Sequence, residues 1–476
     1  TWGDATLLAH CAGFLDPLGR AMGMDGVILL AFLLAFTAGL VILLVIYVAD
    51  AKAWTSYPAN RHIYNSEAVL SGGGTITDRS GVILAQTVDG KRVYNSKAEI
   101  RKAVLHMVGD SDGFIKTGLQ SSYWEQLVGY NLVNGVFQPS GRGNDIATTL
   151  DANLSATALK ALGSYKGTVG VYNYKTGEVL CMVSSPTFDV NSKPDVEGDT
   201  TDKYTGVYLN RFLSSSYPPG STFKLVTAAA ALESQKDMDT RTYTCKRGVE
   251  VDGEWISCLG NHGKIGFKDA LAQSCNAYFA QLAISLGPDT LTKYAEKMGF
   301  NQSFSLDGIA AKKSTIDFTD IRRVDLGWAG MGQYTNLANP LHFLTMMGAI
   351  ANGGVPVKPY FIESITTPAG LPAHLRVSKN GSRMLSADAA DTLKDMMRYT
   401  VTKKYGDATF PGLQFCAKTG TAEVGAGIEP HAWIAGFSQD EKTPLAIVVV
   451  AENGGLGIGV AGKIANTVLQ QAKKLV

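Results

Sequence analysis

Three short stretches of this chain carry side chains that can act on one another. The first is Ser221-Thr222-Phe223-Lys224, entered through Tyr217-Pro218-Pro219-Gly220 and followed by a run of small apolar residues. A serine hydroxyl is a poor nucleophile unless a base takes its proton. A lysine becomes that base when burial or a neighbouring cation lowers its pKa. On a helix, residues i and i+3 share a face, so the two groups can meet. In a first helical turn, free N–H groups and the helix dipole also favour a developing negative charge at Ser221. Taken alone, the pair reads better as an ordinary helix start, with Ser221 as the cap and Lys224 reaching to water.

Two further stretches change that balance. Ser274-Cys275-Asn276 sets a hydroxyl and an amide two residues apart, where they can face one cleft from a loop between helices. Its ordinary reading is another N-cap. Lys418-Thr419-Gly420 puts a cation and a hydroxyl on a strand, ahead of a glycine that leaves the strand edge open. Its ordinary reading is an edge strand with a protective lysine. The three stretches lie 53 and 144 residues apart.

The elements that must position them follow from the pattern. Residues 76–87 alternate around a turn at Ser80-Gly81, a hairpin in which Asp78 and Arg79 hold the turn. Residues 154–162 read as a helix, and 167–186 as two strands about Lys175-Thr176-Gly177. Helices are expected after Ser221, across 269–287 and across 389–404, and strands at 415–424, 431–439 and 444–453. A closing helix covers 462–476. Strands at both ends with helices between them imply an α+β domain whose first strands pair with its last.

The order Ser-x-x-Lys, Ser-x-Asn, Lys-Thr-Gly resembles the motif set of penicillin-binding proteins and serine β-lactamases. The stretches DRSGVILA, YPPGSTFK, SCNAYFAQLA, GWAGMGQ, KTGTAEVG and PHAWIAGF are most similar to class B penicillin-binding proteins of the A/2-like, monofunctional transpeptidase type. The resemblance spans residues 50–476. It implies that Ser221 attacks the penultimate D-alanine carbonyl of a peptidoglycan stem peptide, with Lys224 as base. It makes Ser274 the proton relay, and Asn276 the group that holds the substrate amide and positions Lys224. Lys418 supplies positive potential, while Thr419, Gly420 and Thr421 meet the substrate carboxylate. The backbone N–H groups of Ser221 and Thr421 form the oxyanion hole. A β-lactam acylates Ser221, a membrane glycan polymerase is the expected partner, and neither metal nor cofactor is needed. One stretch departs from the pattern: the family's usual Gly-Gln-Gly reads Gly332-Gln333-Tyr334 here.

Rival activities of the same fold are a D,D-carboxypeptidase, a β-lactamase and a cell-wall scaffold. No deacylating glutamate motif, His-Glu-x-x-His protease or second large catalytic domain is evident.

The 476 residues divide into an N-terminal segment (1–25), a membrane span (26–49), a pedestal (50–150) and the transpeptidase domain (151–476). The span carries no charge and is long enough for a bilayer core of roughly 30 Å. Residues 10–36 resemble a membrane segment of bacterial ferrous iron transporter B, without that transporter's nucleotide-binding motifs. With 43 Lys and Arg against 42 Asp and Glu, nothing suggests a nucleic-acid partner. Of the six cysteines, Cys181, Cys275 and Cys416 sit among apolar residues and read as buried thiols, while Cys11 precedes the span. Cys245 and Cys258 flank a hairpin-like stretch. They can be a disulfide, free thiols or, with His262, part of a zinc site that lacks a ligand.

Overall fold

The computed structural model describes residues 23, 25–48, 70–130 and 141–476. Residues 1–22, and with them Cys11 and the start of the iron-transporter-like stretch, lie outside the described residues, as do 49–69. The apolar run forms a 24-residue helix, Asp25–Val48, with a mean hydropathy of 3.0 and none of that stretch buried. It is long and apolar enough to cross a membrane.

The Lys418-Thr419-Gly420 stretch lies on a five-stranded antiparallel sheet. Its order is Phe415–Ala422, His431–Ser438, Leu445–Ala451, Gly167–Asn173, Val179–Ser185. The early strands therefore close against the late ones, with Val169 opposite Val449 and Val171 opposite Ile447, as the sequence predicts. Side chains alternate across a strand. Ile447, Val449 and Ala451 pack with Val169 and Val171 against Leu154, Ala158, Val468 and Leu469 of the helices Ala152–Leu162 and Lys463–Ala472. On the other face, Ala446, Val448 and Val450 join Trp433, Phe343 and Met347 in the larger core. Both faces are covered, and every residue of the Leu445–Ala451 strand is buried.

That second face is packed to contact. The helix Pro340–Ala351 begins with Pro340 in its first turn, where no amide is required, and Asn339 caps it by accepting from the Leu341 and His342 amides. It lays Gly348 on the sheet beside Tyr172, so tightly that a Cβ at 348 would stand 1.4 Å from the Tyr172 hydroxyl oxygen. That hydroxyl is buried without a hydrogen-bond partner.

A second sheet has six strands in the order Pro372–Leu375, Ile362–Thr366, Asp145–Thr148, Ile76–Thr77, Ile83–Val88, Lys91–Tyr94. The hairpin expected at 76–87 is present, with Ile76 opposite Ala85. Asp78 holds its turn, accepting from Ser80 and Val82 amides at 2.8 and 2.9 Å. Arg79 does not share that work, because its guanidinium reaches away to Glu178, 4.0 Å off. Two strands of this sheet come from residues 362–375, a long-range pairing that no local pattern announces.

The helical pattern at 269–287 is two helices, Phe267–Ala272 and Asn276–Leu286. The pattern at 389–404 is the helix Ala387–Thr400, continued by a wider turn at Val401–Tyr405. The cysteine-flanked stretch forms the hairpin Gly248–Val251/Glu254–Ser257. Its Asp252-Gly253 turn has both φ angles positive, as a tight two-residue hairpin requires.

Overpacking a filled core typically costs 1–3 kcal/mol. Gly348→Ala is expected to destabilise the chain by about 3 kcal/mol in equilibrium unfolding. Adding Tyr172→Phe should recover part of that loss, because it removes the atom in the way. Equal melting of Gly348→Ala and wild type would show that the helix can lift from the sheet at no cost.

Candidate active site

Ser221 sits in a single 3-10 turn, Gly220–Phe223, which runs into the helix Lys224–Ser234. Gly220 has φ +51°, and a Cβ there would come within 2.7 Å of the Thr421 carbonyl oxygen. A glycine at 220 therefore lets the serine turn lie against the Phe415–Ala422 strand. Gly332 supports the turn from behind, its carbonyl accepting from the Gly220 amide at 3.0 Å.

Lys224 is fully buried. Its Nζ lies within hydrogen-bond distance of four oxygens: Asn276 Oδ1 at 2.7 Å, Ser274 O at 2.8 Å, and Ser274 Oγ and Ser221 Oγ, each at 3.1 Å. Ser274 can present both its oxygens because it adopts φ +54° between the two helices. This left-handed conformation costs roughly 1–2 kcal/mol for a residue other than glycine. The Ser274 and Cys275 amides close the reversal on Leu271 O and Ala270 O. Asn276 then opens the next helix, and its Nδ2 donates to Ser257 O at 3.0 Å. So Asn276 is fixed at both ends, to Lys224 and to the cysteine-flanked hairpin.

Lys418 reaches the same hydroxyl from the sheet, donating to Ser274 Oγ at 3.0 Å and to Thr419 O at 2.9 Å. Ser274 thus stands between two buried amines. Burial pushes Lys224 down to about 8. Burial, and then the charge of Lys224, push Lys418 well below its usual range. Desolvation governs Lys224, and repulsion between the two amines falls on Lys418.

Thr419 is engaged already: its Oγ1 shares a hydrogen bond with Tyr405 Oη at 2.9 Å, and its amide donates to the same oxygen at 3.0 Å. Phe415–Ala422 is the outer strand of its sheet. The Thr419 amide therefore points off the free edge, and the Thr421 amide, two residues on, faces the same way. The Thr421 hydroxyl lies 3.4 Å from the Gly457 amide.

All the motif residues named from the sequence thus converge, and others join them. Tyr405 was invisible because it comes from the wide turn after a helix. Tyr217, at the head of the serine motif, donates through Oη to Glu452 Oε1 at 2.9 Å, and Arg211 holds the same carboxylate at 2.8 Å. Cys275 is a buried thiol, as expected, and its sulfur, those of Cys245 and Cys258, and a ring nitrogen of His262 lie within 4.8 Å of one another. Cys245 and Cys258 are free thiols, not a disulfide.

The penicillin binding protein transpeptidase domain model matches residues 167–470, which contain all three motifs. The chain belongs to the penicillin-binding protein transpeptidase family. Peptidoglycan D,D-transpeptidase PbpA of Mycolicibacterium smegmatis is 29% identical over 425 residues, covering 82% of this chain and 85% of the relative. Penicillin-binding protein A from M. tuberculosis, solved as a penicillin G acyl-enzyme complex, matches with a TM-score of 0.73 and 26% identity, over 85% of this chain and all of that one. The D,D-transpeptidase domain of a peptidoglycan glycosyltransferase from Eggerthella lenta matches with a TM-score of 0.72 and 26% identity, over 85% of this chain and 98% of that one.

As a penicillin-binding protein, the chain departs from the expected Gly-Gln-Gly at Tyr334, and the geometry shows why a glycine suits that place. Tyr334 has φ +69° and is half exposed. A bulky side chain in this region is strained. Tyr334→Gly is expected to leave the site intact and to stabilise the chain by about 1 kcal/mol or less, after the greater unfolded-state freedom of glycine. A thermal melt checks this; a lower melting temperature would mean that the exposed ring makes contacts worth more than the strain.

Proposed function

We infer that this chain is a class B peptidoglycan D,D-transpeptidase that works through an acyl-enzyme on Ser221. The observation that carries the reading is Lys224 Nζ, wholly buried and 3.1 Å from both Ser221 Oγ and Ser274 Oγ. Neutral Lys224 takes the Ser221 proton as Oγ attacks the penultimate D-alanine carbonyl of a stem peptide. The amides of Ser221 and Thr421 stabilise the charge that appears on the carbonyl oxygen only in the transition state. The proton passes through Ser274 to the departing nitrogen, and D-alanine leaves as its amine. The amine of a neighbouring stem then attacks the ester, Ser221 recovers its proton and the cross-link forms.

Lys418 takes a conditional role. In the substrate-free site, burial and then the charge of Lys224 disfavour its charge. A substrate carboxylate beside Thr419 and Thr421 would restore that charge, so positive potential is drawn out by the anion it serves. Asn276 keeps Lys224 in place, and while one hydrogen of its Nδ2 goes to Ser257 O, the second remains for the substrate amide carbonyl. A β-lactam acylates Ser221 by presenting its ring carbonyl in the same position.

The division into a pedestal at 50–150 and a transpeptidase domain at 151–476 belongs to this reading. So does a site on the outer face of the membrane, where stem peptides are joined, with the N-terminus cytoplasmic. A glycan polymerase in the same membrane would supply the strands.

Full-length protein in detergent should form a lasting covalent adduct with a fluorescent penicillin, seen by gel. Ser221→Ala should abolish it, and Lys224→Ala should slow it by about 10²–10⁴-fold. Labelling of Ser221→Ala equal to wild type would remove Ser221 as nucleophile. With a stem peptide and an amine acceptor, the expected product by mass spectrometry is the cross-linked dimer. Hydrolysed donor alone would make the chain a carboxypeptidase, and rapid loss of the penicillin adduct would make it a β-lactamase.

A further inference from the structure

The wide turn Val401–Tyr405 belongs to none of the three motifs, yet it reaches two of them. Lys404 Nζ donates to Oε1 of Gln273, the residue before Ser274, at 3.1 Å. Tyr405 Oη meets Thr419 twice, at 3.0 Å from its amide and 2.9 Å from its hydroxyl. The turn is held from both sides. Arg398 Nη1 donates to Asp407 Oδ1 at 2.6 Å and to Phe415 O at 3.2 Å, which ties the residues before and after the turn to the start of the Thr419 strand. Thr409 Oγ1 donates to Tyr405 O at 2.8 Å. The Tyr405 ring packs on the core that contains Phe410, Phe415 and Ala417. The position of its hydroxyl is therefore set by packing outside the motifs.

Counting protons fixes the direction of the 2.9 Å contact. An amide N–H only donates, so Tyr405 Oη accepts from Thr419 N. The phenol has one proton of its own to give. Among the described residues, Thr419 Oγ1 is the oxygen placed to accept it. Burial raises the phenol above its ordinary value of 10.0, so that proton stays on at neutral pH. The reverse arrangement, with Thr419 donating, would use up the threonine's proton and leave the tyrosine's without an acceptor. Thr419 Oγ1 therefore accepts, and its own O–H remains to be given. The Thr421 hydroxyl stands alike, accepting from the Gly457 amide at 3.4 Å. Residues 419 and 421 share one face of the strand. Two neighbouring hydroxyls thus accept from protein and keep their protons for a ligand. A carboxylate, which only accepts, is the group that matches them.

We propose that Tyr405 is a positioning residue for substrate recognition: by donating to Thr419 Oγ1, it turns the threonine's own O–H toward the carboxylate of the stem peptide or of a penicillin. This deepens the transpeptidase reading and rests on it. The hydrogen bonds of the Tyr405 hydroxyl go to Thr419 and not to Ser221, Lys224 or Ser274. Tyr405 therefore acts on binding of the anion and not on the proton relay.

The test compares two acyl donors on the full-length protein in detergent: penicillin G, which carries the carboxylate, and its methyl ester, which carries no charge there. The readout is the ratio of their second-order acylation rates, followed by mass spectrometry of the intact protein. Tyr405→Phe keeps the ring and removes the hydroxyl. It should lower the acid-to-ester ratio about tenfold, the scale of one hydrogen bond to a charged group. Thr419→Val removes the hydroxyl that Tyr405 aims and should lower the ratio at least as far. Adding Tyr405→Phe to Thr419→Val should change the ratio no further. Tyr399→Phe removes a hydroxyl bonded to Asp269 from the helix that leads into the same turn, and should keep the wild-type ratio. An unchanged ratio in Tyr405→Phe, with acid and ester slowed equally or not at all, would overturn the proposal. So would the same loss in Tyr399→Phe, or a second tenfold drop in the double variant. Full retention of the ratio in Thr419→Val would overturn it whether or not Tyr405→Phe folds. A wild type that neither donor labels would remove the transpeptidase reading, and the proposal with it.

Discussion

A lysine with no exposure to water is the constraint around which this site is organised. An ammonium taken out of water and left unpaired is costly, on the order of several kcal/mol. The fold meets that cost by surrounding Lys224 Nζ with four oxygens at 2.7–3.1 Å. None of them is a carboxylate, so the amine is solvated without being locked in its charged form. That distinction makes a base. A paired carboxylate would raise the pKa, whereas burial among neutral acceptors lowers it to about 8.

Each acceptor depends on a different piece of structure. Ser221 arrives through a glycine turn pressed on the outer strand of the sheet, Ser274 through a left-handed residue between two helices, and Asn276 through the helix start that follows. The sheet sets the distances among them, because it carries Lys418 to the far side of Ser274. Two amines on one hydroxyl oxygen cannot both be comfortably charged in a buried setting, and the repulsion falls on Lys418.

Much of this was legible in the chain before any coordinates. Catalysis demands particular residue types at particular spacings, so Ser221, Lys224, Ser274, Asn276 and Lys418 announced themselves jointly where each pair alone did not. The alternating strands at 167–186 and 444–453 implied a sheet closed by its two ends, and Val169 opposite Val449 confirms it. What stayed hidden are contacts with no local period. Tyr405 touches Thr419 from a turn that reads only as a helix tail. Glu452 joins Arg211 and Tyr217 across more than 200 residues of chain. Residues 362–375 add two strands to a sheet otherwise built from residues 76–148.

The pH dependence of Ser221 acylation tests the central claim most directly. The neutral amine is the active form, so the second-order rate of acylation by a penicillin should climb as pH rises through about 8 and then level off. In Lys224→Ala that rising limb should vanish along with most of the rate. A limb centred near the ordinary lysine value of 10.5, or the same limb persisting in Lys224→Ala, would contradict the account.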